Sequence, residues 1–308
     1  MSKTTPLVSV NHFRMDFGDT TVIKDLSFNV KKGETFGFLG SNGSGKTTTI
    51  RAMLGIYQAT DGELLIGDKP YTVDGDVKLG YLPEERGLYK KEKVLDIMTY
   101  FGQLKGMSRS DAKNWSLEYL ERVELQDKAK TYLDKLSGGQ QQKVQLGITI
   151  MGDPDLLILD EPTKGFDPVN RRLLMDIIEK HQRRGATVIF VTHQMEEVER
   201  LCDRILLLKD GEASLYGTIA EVKEEFGGQL LEIVADKPIP VNKSLYEIER
   251  KRGNTAILTP KAELATIARA MIGAGITFTK FELKRPSLDD IFVEVYGTKA
   301  AKEENYHA

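Results

Sequence analysis

The sequence predicts an α/β protein in which a mainly parallel sheet is led in by antiparallel strands and followed by a smaller α+β segment. Three observations carry this. The apolar runs "TFGFL" (35–39), "DLLILD" (155–160) and "ATVIFVT" (186–192) are short and nearly continuous, as parallel strands covered on both faces must be, and each precedes a helical pattern. The first ~35 residues instead alternate in apolarity, most clearly at Leu26, Phe28 and Val30, the period of half-buried antiparallel strands. Beyond about residue 217 the composition resets, and the strand-like "LLEIV", "TAIL" and "ITFTKFEL" enclose a helix from about Ala262 to Ile272.

The elements follow in order. Between "TFGFL" and "DLLILD" lies a mostly helical stretch from about Leu88 to Lys135, read as an inserted helical sub-domain that extends, with the helix after it, to about residue 150. That last helix opens at "LSGGQQQK" (136–143), and Val144, Gly147, Ile148 and Met151 give it one apolar face. The next helix has Asp167 as N-cap, Pro168 at its first position, apolar residues at 169, 173, 174, 177 and 178, and Gly185 past its end. Its "KHQRR" terminus suits the helix dipole, which makes His181 a solvated end residue. In "RILLLKDGEASLYG", Asp210-Gly211 between apolar runs predicts a hairpin. "AEVKEEFGG" reads as a connecting helix ending in paired glycines. In "RPSLDDIFVEVYG", Ser287 and Asp290 form a capping-box pattern, and the charged end is expected to fray. The resulting division is 1–217, a linker at 218–228, a small α+β domain at 229–298 and a tail at 299–308.

Composition narrows the function. A chain of 308 residues suggests two domains, and 40% hydrophobic with 29% charged residues is ordinary for a globular protein. A net charge of −3 supplies no basic field, so nucleic acid is not an expected partner. No apolar run approaches the ~18 to 20 residues that cross a bilayer, and "MSKTTPLVSVNHF" lacks the apolar core of a secretory signal. The single cysteine, Cys202, falls with Met195, Val198 and Leu201 on one helix face, as a buried core thiol of an intracellular chain would.

Four motifs carry chemistry. Directly after "TFGFL", the stretch "GSNGSGKTT" satisfies the phosphate-loop pattern through Gly40, Gly45, Lys46 and Thr47, in the strand-to-helix context that pattern needs. Backbone N–H groups from Gly40, Ser41, Asn42, Gly43, Ser44, Gly45 and Thr48 would wrap phosphates, Lys46 would neutralise them, and the Thr47 hydroxyl could bind Mg²⁺. "LLILDEP" places Asp160 and Glu161 at the exit of a buried strand, where Asp160 suits the Mg²⁺ shell and Glu161 suits an attacking water; alternatively both cap the following turn. His193 leaves the third apolar strand on the same sheet edge, either as a structural residue or as a sensor of the terminal phosphate. "LSGGQQQK", taken alone, fits both an anion-binding helix start at Ser137, Gly138 and Gly139 and an ordinary capped core helix.

Phosphate loop, "LSGGQ", "LLILDEP" and histidine, in this order, resemble the ATP-binding cassette (ABC) family from Leu7 to about Gly217. The resemblance implies the phosphate-loop NTPase fold of that cassette, with an antiparallel β sub-domain and the inserted helical sub-domain. It implies ATP and Mg²⁺ as ligands and ATP hydrolysis with Glu161 as base, assisted by His193 and Lys46. It implies a head-to-tail pair in which Ser137, Gly138, Gly139 and Gln140 of one copy hold the γ-phosphate bound by the other. It puts Phe17 where an aromatic ring stacks on adenine, with Phe13 as competitor. It also exposes departures: Glu84 stands where the family has a metal-edge glutamine, and Lys164 and Phe166 stand where serine and leucine are usual. "YLPEERGLY" and "KRPSLDDIFVEVYG" are similar to a bacterial subgroup serving ABC-2-type exporters, including the sodium-efflux type. That likeness implies a cytoplasmic subunit held at the inner membrane face by a separate permease, which the helical region beginning at "ERGLYKKEKV" would grip. The C-terminal domain then reads as a dimer brace. A soluble cassette acting on ribosomes or DNA would carry two cassettes or a long heptad insertion, and neither is present.

Overall fold

Alternation in the first strands becomes one-sided burial. In β1 (Pro6–Phe17) Val8, Val10, Phe13 and Met15 are buried, and in β2 (Thr20–Lys31) Ile23, Leu26, Phe28 and Val30 are. The two pair antiparallel, with Val10 opposite Phe28 and Phe13 opposite Leu26. The computed structural model describes residues 6–85, 87–226, 230–284 and 286–297. The glycine pair expected at 227–228 and the tail at 299–308 lie outside the described residues. Contacts divide the chain into two compact units, one ending at Ile219 and one starting at Ala220.

In the first unit β3 (Thr35–Leu39) is buried at every residue and runs into α1 (Lys46–Met53). Two strands that the sequence pattern did not reveal come next. The first, β4 (Asp61–Ile66), starts at an Asp-Gly turn signal and pairs antiparallel with β1; the second, β5 (Leu79–Leu82), has only four residues. The helical region holds α2 (Val94–Leu104) and α3 (Arg109–Arg122), the latter capped by Ser108, whose hydroxyl accepts from Asp111 N. After it come α4 (Gly138–Ile150), β6 (Leu156–Asp160), α5 (Pro168–Arg183), β7 (Thr187–Val191), α6 (Met195–Leu201), β8 (Arg204–Lys209) and β9 (Glu212–Thr218). Asp210 and Gly211, at φ +50° and +79°, make the expected tight turn from β8 to β9.

The nine strands run β4-β1-β2-β9-β8-β3-β7-β6-β5, and the five from β8 to β5 are parallel. Adjacent β3, β7 and β6 therefore end side by side, and the loops that leave them share one sheet edge, where open α/β sheets bind ligands. Cys202 is buried just past α6, its sulfur facing Gly37 of β3; apolar surroundings push its thiol far above the ordinary range.

Two expectations need correction. Helix α4 is not amphipathic: every residue from Gln142 to Ile150 is buried. Three of its polar side chains find carbonyls, Lys143 Nζ donating to Val123 O (3.0 Å), Gln145 Nε2 to Glu85 O (3.4 Å) and Thr149 Oγ1 to Gln145 O (2.9 Å), while Gln145 Oε1 is buried without a partner among the described residues. His181 is not solvated. It is only 5% exposed, lies 3.8 Å from Asp153 through Nδ1, and its pKa is lowered by burial. On the same helix α5, Asp167 caps as expected by accepting from Val169 N and Asn170 N, but Val169 is 78% exposed.

The second unit contains β10 (Leu230–Ala235), β11 (Tyr246–Arg252), β12 (Thr255–Pro260), α8 (Leu264–Gly273), β13 (Phe278–Lys284) and α9 (Leu288–Tyr296); α7 (Ile219–Glu225) leads into it. Its antiparallel sheet, in order β11-β12-β10-β13, packs Leu231, Ile233 and Leu258 with Tyr246, Ile267 and Met271. The unanticipated β11 is an edge strand whose "ERKR" is charged, so its pattern is polar. Ser287 and Asp290 form the capping box expected at α9.

The close packing of α4 gives a stability test. Tyr119 is buried, stacks on Trp115 with ring centroids 5.2 Å apart, and donates its hydroxyl to Lys143 O (2.7 Å). A Cβ on Gly147 would stand 2.4 Å from this ring. Gly147→Ala is therefore expected to lower unfolding free energy by about 1–3 kcal/mol in urea titration, overriding the gain of about 1 kcal/mol in helix propensity. Unchanged or raised stability would show that Tyr119 yields without cost.

Candidate functional site

The loop from Gly40 to Gly45 connects β3 to α1 through backbone that only glycine adopts readily: φ is +153° at Gly40, +80° at Gly43 and +109° at Gly45. Space as well as conformation demands it, since a Cβ on Gly45 would meet Ile23 at 2.4 Å and one on Gly40 would meet Leu208 O at 2.5 Å. The loop bends back so that Lys46 Nζ donates to Gly40 O (2.6 Å) and Ser41 O (3.0 Å). A cavity of about 200 Å³ lies against it, lined by Asn42, Gly43, Gly45, Lys46, Thr47 and Thr48 on the loop side and by Glu84, Asp160 and Glu161 opposite. A helix start carries N–H groups without intrahelical acceptors and a positive dipole end, so this wall favours an anion.

The opposite wall is acidic. Asp160, only 2% exposed at the end of β6, has its pKa pushed up to about 6 by burial, then by the neighbouring charges of Glu161 and Glu84, with Lys46 acting the other way. Glu161 is buried and stands at φ +49°, a conformation costing a non-glycine residue of the order of 1–3 kcal/mol. Its N–H donates to Val191 O (2.8 Å) at the end of β7, which fixes the turn. Two residues beyond β7, His193 Nδ1 lies 2.9 Å from Glu161 Oε1; a carboxylate only accepts, so Nδ1 carries the proton. Glu84 is held from the side by Lys164 Nζ at 2.7 Å.

Ser44 Oγ, Asp160 Oδ2 and Glu161 Oε2 are buried with no hydrogen-bond partner among the described residues. Buried polar atoms without partners are costly in a finished site, and two of these residues, Asp160 and Glu161, line the same phosphate-sized cavity. The side-chain donors that face it, Thr47 from the loop wall and Asp160 and Glu84 from the acidic wall, are all oxygens. That set fits Mg²⁺, which takes one or two carboxylates and completes its shell with phosphate and water.

The structure brings Lys46, Thr47, Glu84, Asp160, Glu161 and His193 together, and leaves others outside. Ser137, Gly138, Gly139 and Gln140 do not line this cavity. They start α4 as a capping box, Ser137 Oγ accepting from Gln140 N (3.3 Å) and Gln140 Oε1 from Ser137 N (3.0 Å), with the Phe166 ring 3.4 Å from where a Gly139 Cβ would be. Phe13 is fully buried, whereas Phe17 is 46% exposed with its ring edge-on to Tyr57, so only Phe17 has a face free of the core, and it too lies outside the cavity lining.

Sequence reading missed Glu197. Buried in α6, it accepts from Thr163 Oγ1 (2.7 and 2.9 Å) and Thr192 Oγ1 (3.4 Å) and lies 3.5 Å from Arg171 Nε; burial raises its pKa. It ties the turn after Glu161 to the turn before His193. In "HQMEEVER" it is one of three nearby glutamates, and only helical phase relative to Val198 and Leu201 could have marked it.

Comparison with known proteins decides the family. Residues 23–164 match the ABC transporter family model, and residues 217–296 match the C-terminal domain of DrrA1-3-like ATP-binding proteins. The uncharacterised ABC transporter ATP-binding protein YhaQ of Bacillus subtilis is 35% identical over 94% of this chain and 99% of its own. The chain belongs to the ABC transporter ATP-binding proteins. Nod factor export ATP-binding protein I of Paraburkholderia xenovorans is 32% identical over 94% of this chain and 97% of its own. A solved structure, the ATP-binding subunit of an ABC transporter, superposes with a TM-score of 0.67 at 26% identity over 72% of this chain and 93% of that one. The α/β cassette fold with a small α+β C-terminal unit is that of the family.

The strain of keeping Asp160 ionised generates a prediction for the nucleotide-free cassette. A carboxyl whose pKa is raised from 3.8 to about 6 by folding destabilises the native state at pH 7, and the penalty fades as pH falls from about 6 towards 4. Asp160→Asn is thus expected to raise unfolding free energy at pH 7 by about 1–3 kcal/mol, and by little at pH 4. Denaturant titration at the two pH values measures this. A loss of stability at pH 7 would contradict the burden assigned to Asp160.

Proposed function

We propose that this cassette hydrolyses ATP in a head-to-tail pair with a second copy and thereby drives a separate membrane permease, most plainly an exporter. The observation that carries the hydrolytic part is the Glu161–His193 contact beside the phosphate cavity. His193 occupies Oε1 of Glu161 at 2.9 Å while Oε2 stays without a partner, so the carboxylate is oriented with one oxygen reserved for a proton.

Water held at Oε2 attacks the γ-phosphorus in line with the bridging oxygen to the β-phosphate. The P–O bridge breaks, ADP leaves with those electrons, and the water proton passes to Glu161. Lys46 exchanges its two loop carbonyls for phosphate oxygens, and the loop N–H groups offset the charge that spreads over them. Mg²⁺, when bound, would be held by Thr47, Asp160 and Glu84 and would supply positive charge at the β- and γ-phosphates. His193 keeps the carboxylate aimed.

Pairing is supported by the position of the signature residues. Ser137, Gly138, Gly139 and Gln140 present a helix start suited to phosphate and do not face the cavity of their own chain, so the phosphate they serve belongs to another copy. The stacking role for adenine goes to Phe17. Permease docking is assigned to the helical region, where Tyr89, Tyr100 and Leu104 are exposed and Tyr100 lines a groove with Lys93, Arg109 and Lys113. Among the described residues no helix is long and apolar enough to cross a membrane, which suits a subunit held at the inner membrane face by its permease. Export as the direction rests on the Nod factor export relative.

Glu161→Gln should retain ATP binding and lose turnover by at least about 10²-fold, since the amide keeps size but not basicity. ATP-dependent dimers should accumulate on gel filtration. Phosphate release within twofold of wild type would remove Glu161 from its role as base.

A further inference from the structure

Glu84 and Lys164 lie 80 residues apart in sequence, and each is a position at which this chain departs from the cassette pattern. The fold brings them to 2.7 Å. Glu84 lines the phosphate cavity beside Asp160 and Glu161, so the acidic wall has three carboxylates rather than two. Lys164 reaches this wall from the turn after β6, where its N–H donates to Glu161 O (3.2 Å). Its ammonium lies in the field of all three acids, and its pKa is raised first by the hydrogen bond to Glu84 and less by the charges of Glu161 and Asp160. Side-chain exposures of 56% for Lys164 and 43% for Glu84 make the pair a weak contributor to folding. A weak folding contact can still matter to a ligand carrying three or four negative charges, because the net charge of the wall decides how strongly that ligand is repelled.

We propose that Lys164 is a positioning residue that holds and neutralises Glu84 at the metal edge of the cavity, so that the two departures form one compensated exchange. An amide at 84 needs no counter-charge; a carboxylate there needs the lysine. Lys164 does not line the cavity and acts through Glu84. The proposal rests on the cavity being the nucleotide site.

The test is calorimetric titration of the full chain with ADP, once in EDTA and once with excess Mg²⁺, for wild type, Glu84→Gln, Lys164→Ser, the double variant and Lys164→Arg. Lys164→Ser leaves an extra negative charge and should weaken metal-free ADP binding about three- to tenfold, while widening the gain in affinity that Mg²⁺ brings. Glu84→Gln should shift both quantities the opposite way, and the double variant and Lys164→Arg should return within about twofold of wild type. Melting temperatures close to wild type are expected throughout because the pair is exposed. Single variants moving affinity in the same direction, a double variant as impaired as the worse single, or no change in any variant would overturn the exchange. Lys46→Ala is the control: if it leaves ADP affinity unchanged, the nucleotide site itself is misplaced, and if it abolishes binding while the pair pattern fails, only the exchange is wrong.

Discussion

Two neighbouring carboxylates, Asp160 and Glu161, buried at the exit of one apolar strand, set the terms for the rest of the cassette. Burying ionised groups without partners is unfavourable, and here each keeps one oxygen without a hydrogen bond. The surroundings meet part of that demand. Lys46 faces Asp160 from the loop, His193 takes one oxygen of Glu161, Val191 accepts the N–H of its strained backbone, and Glu197 pins the flanking turns. What is left over is a cavity with a dipolar, cationic wall opposite an acidic one. An anionic phosphate and a divalent cation bound together would satisfy both walls at once, and either alone would satisfy only one.

That arrangement depends on strand order more than on any local motif. Because β3, β7 and β6 are adjacent and parallel, three loops far apart in sequence end within one site. The continuous burial of these strands is what the sequence announces most clearly, and glycine spacing, Asp-Gly turns and Ser/Asp caps announce the loops and helix starts with similar clarity. Each of those signals is local, produced by backbone conformation or by a hydrogen bond spanning a few residues.

Where sequence reading failed, the cause was tertiary. Strands β4, β5 and β11 are short, or carry the polar residues of a sheet edge, so their pairing is decided by neighbours rather than by their own period. Helix α4 hides Gln142, Lys143 and Gln145 in the interior, and distant backbone carbonyls that make two of those burials tolerable leave no trace in the segment itself. His181 has the flanking charges of an exposed helix end and is nevertheless covered. Glu197 and the Lys164–Glu84 pair belong to the same class: each contact joins residues that only the folded sheet edge brings together. Phe13 and Phe17 show the converse, two aromatic rings on one strand that burial alone separates into core and surface.

In the proposed head-to-tail pair a second copy completes the cavity, since Ser137, Gly138, Gly139 and Gln140 cap a helix and do not line the cavity of their own chain. Mixing Lys46→Ala with Gly139→Asp subunits tests this most directly. If sites are shared head to tail, the heterodimer holds one intact composite site and one doubly damaged site, and ATP hydrolysis should partly return although each variant alone is inactive. Absence of recovery, with heterodimers verified and turnover at a single site established in a linked dimer, would contradict the shared site and return residues 137–140 to an ordinary helix cap.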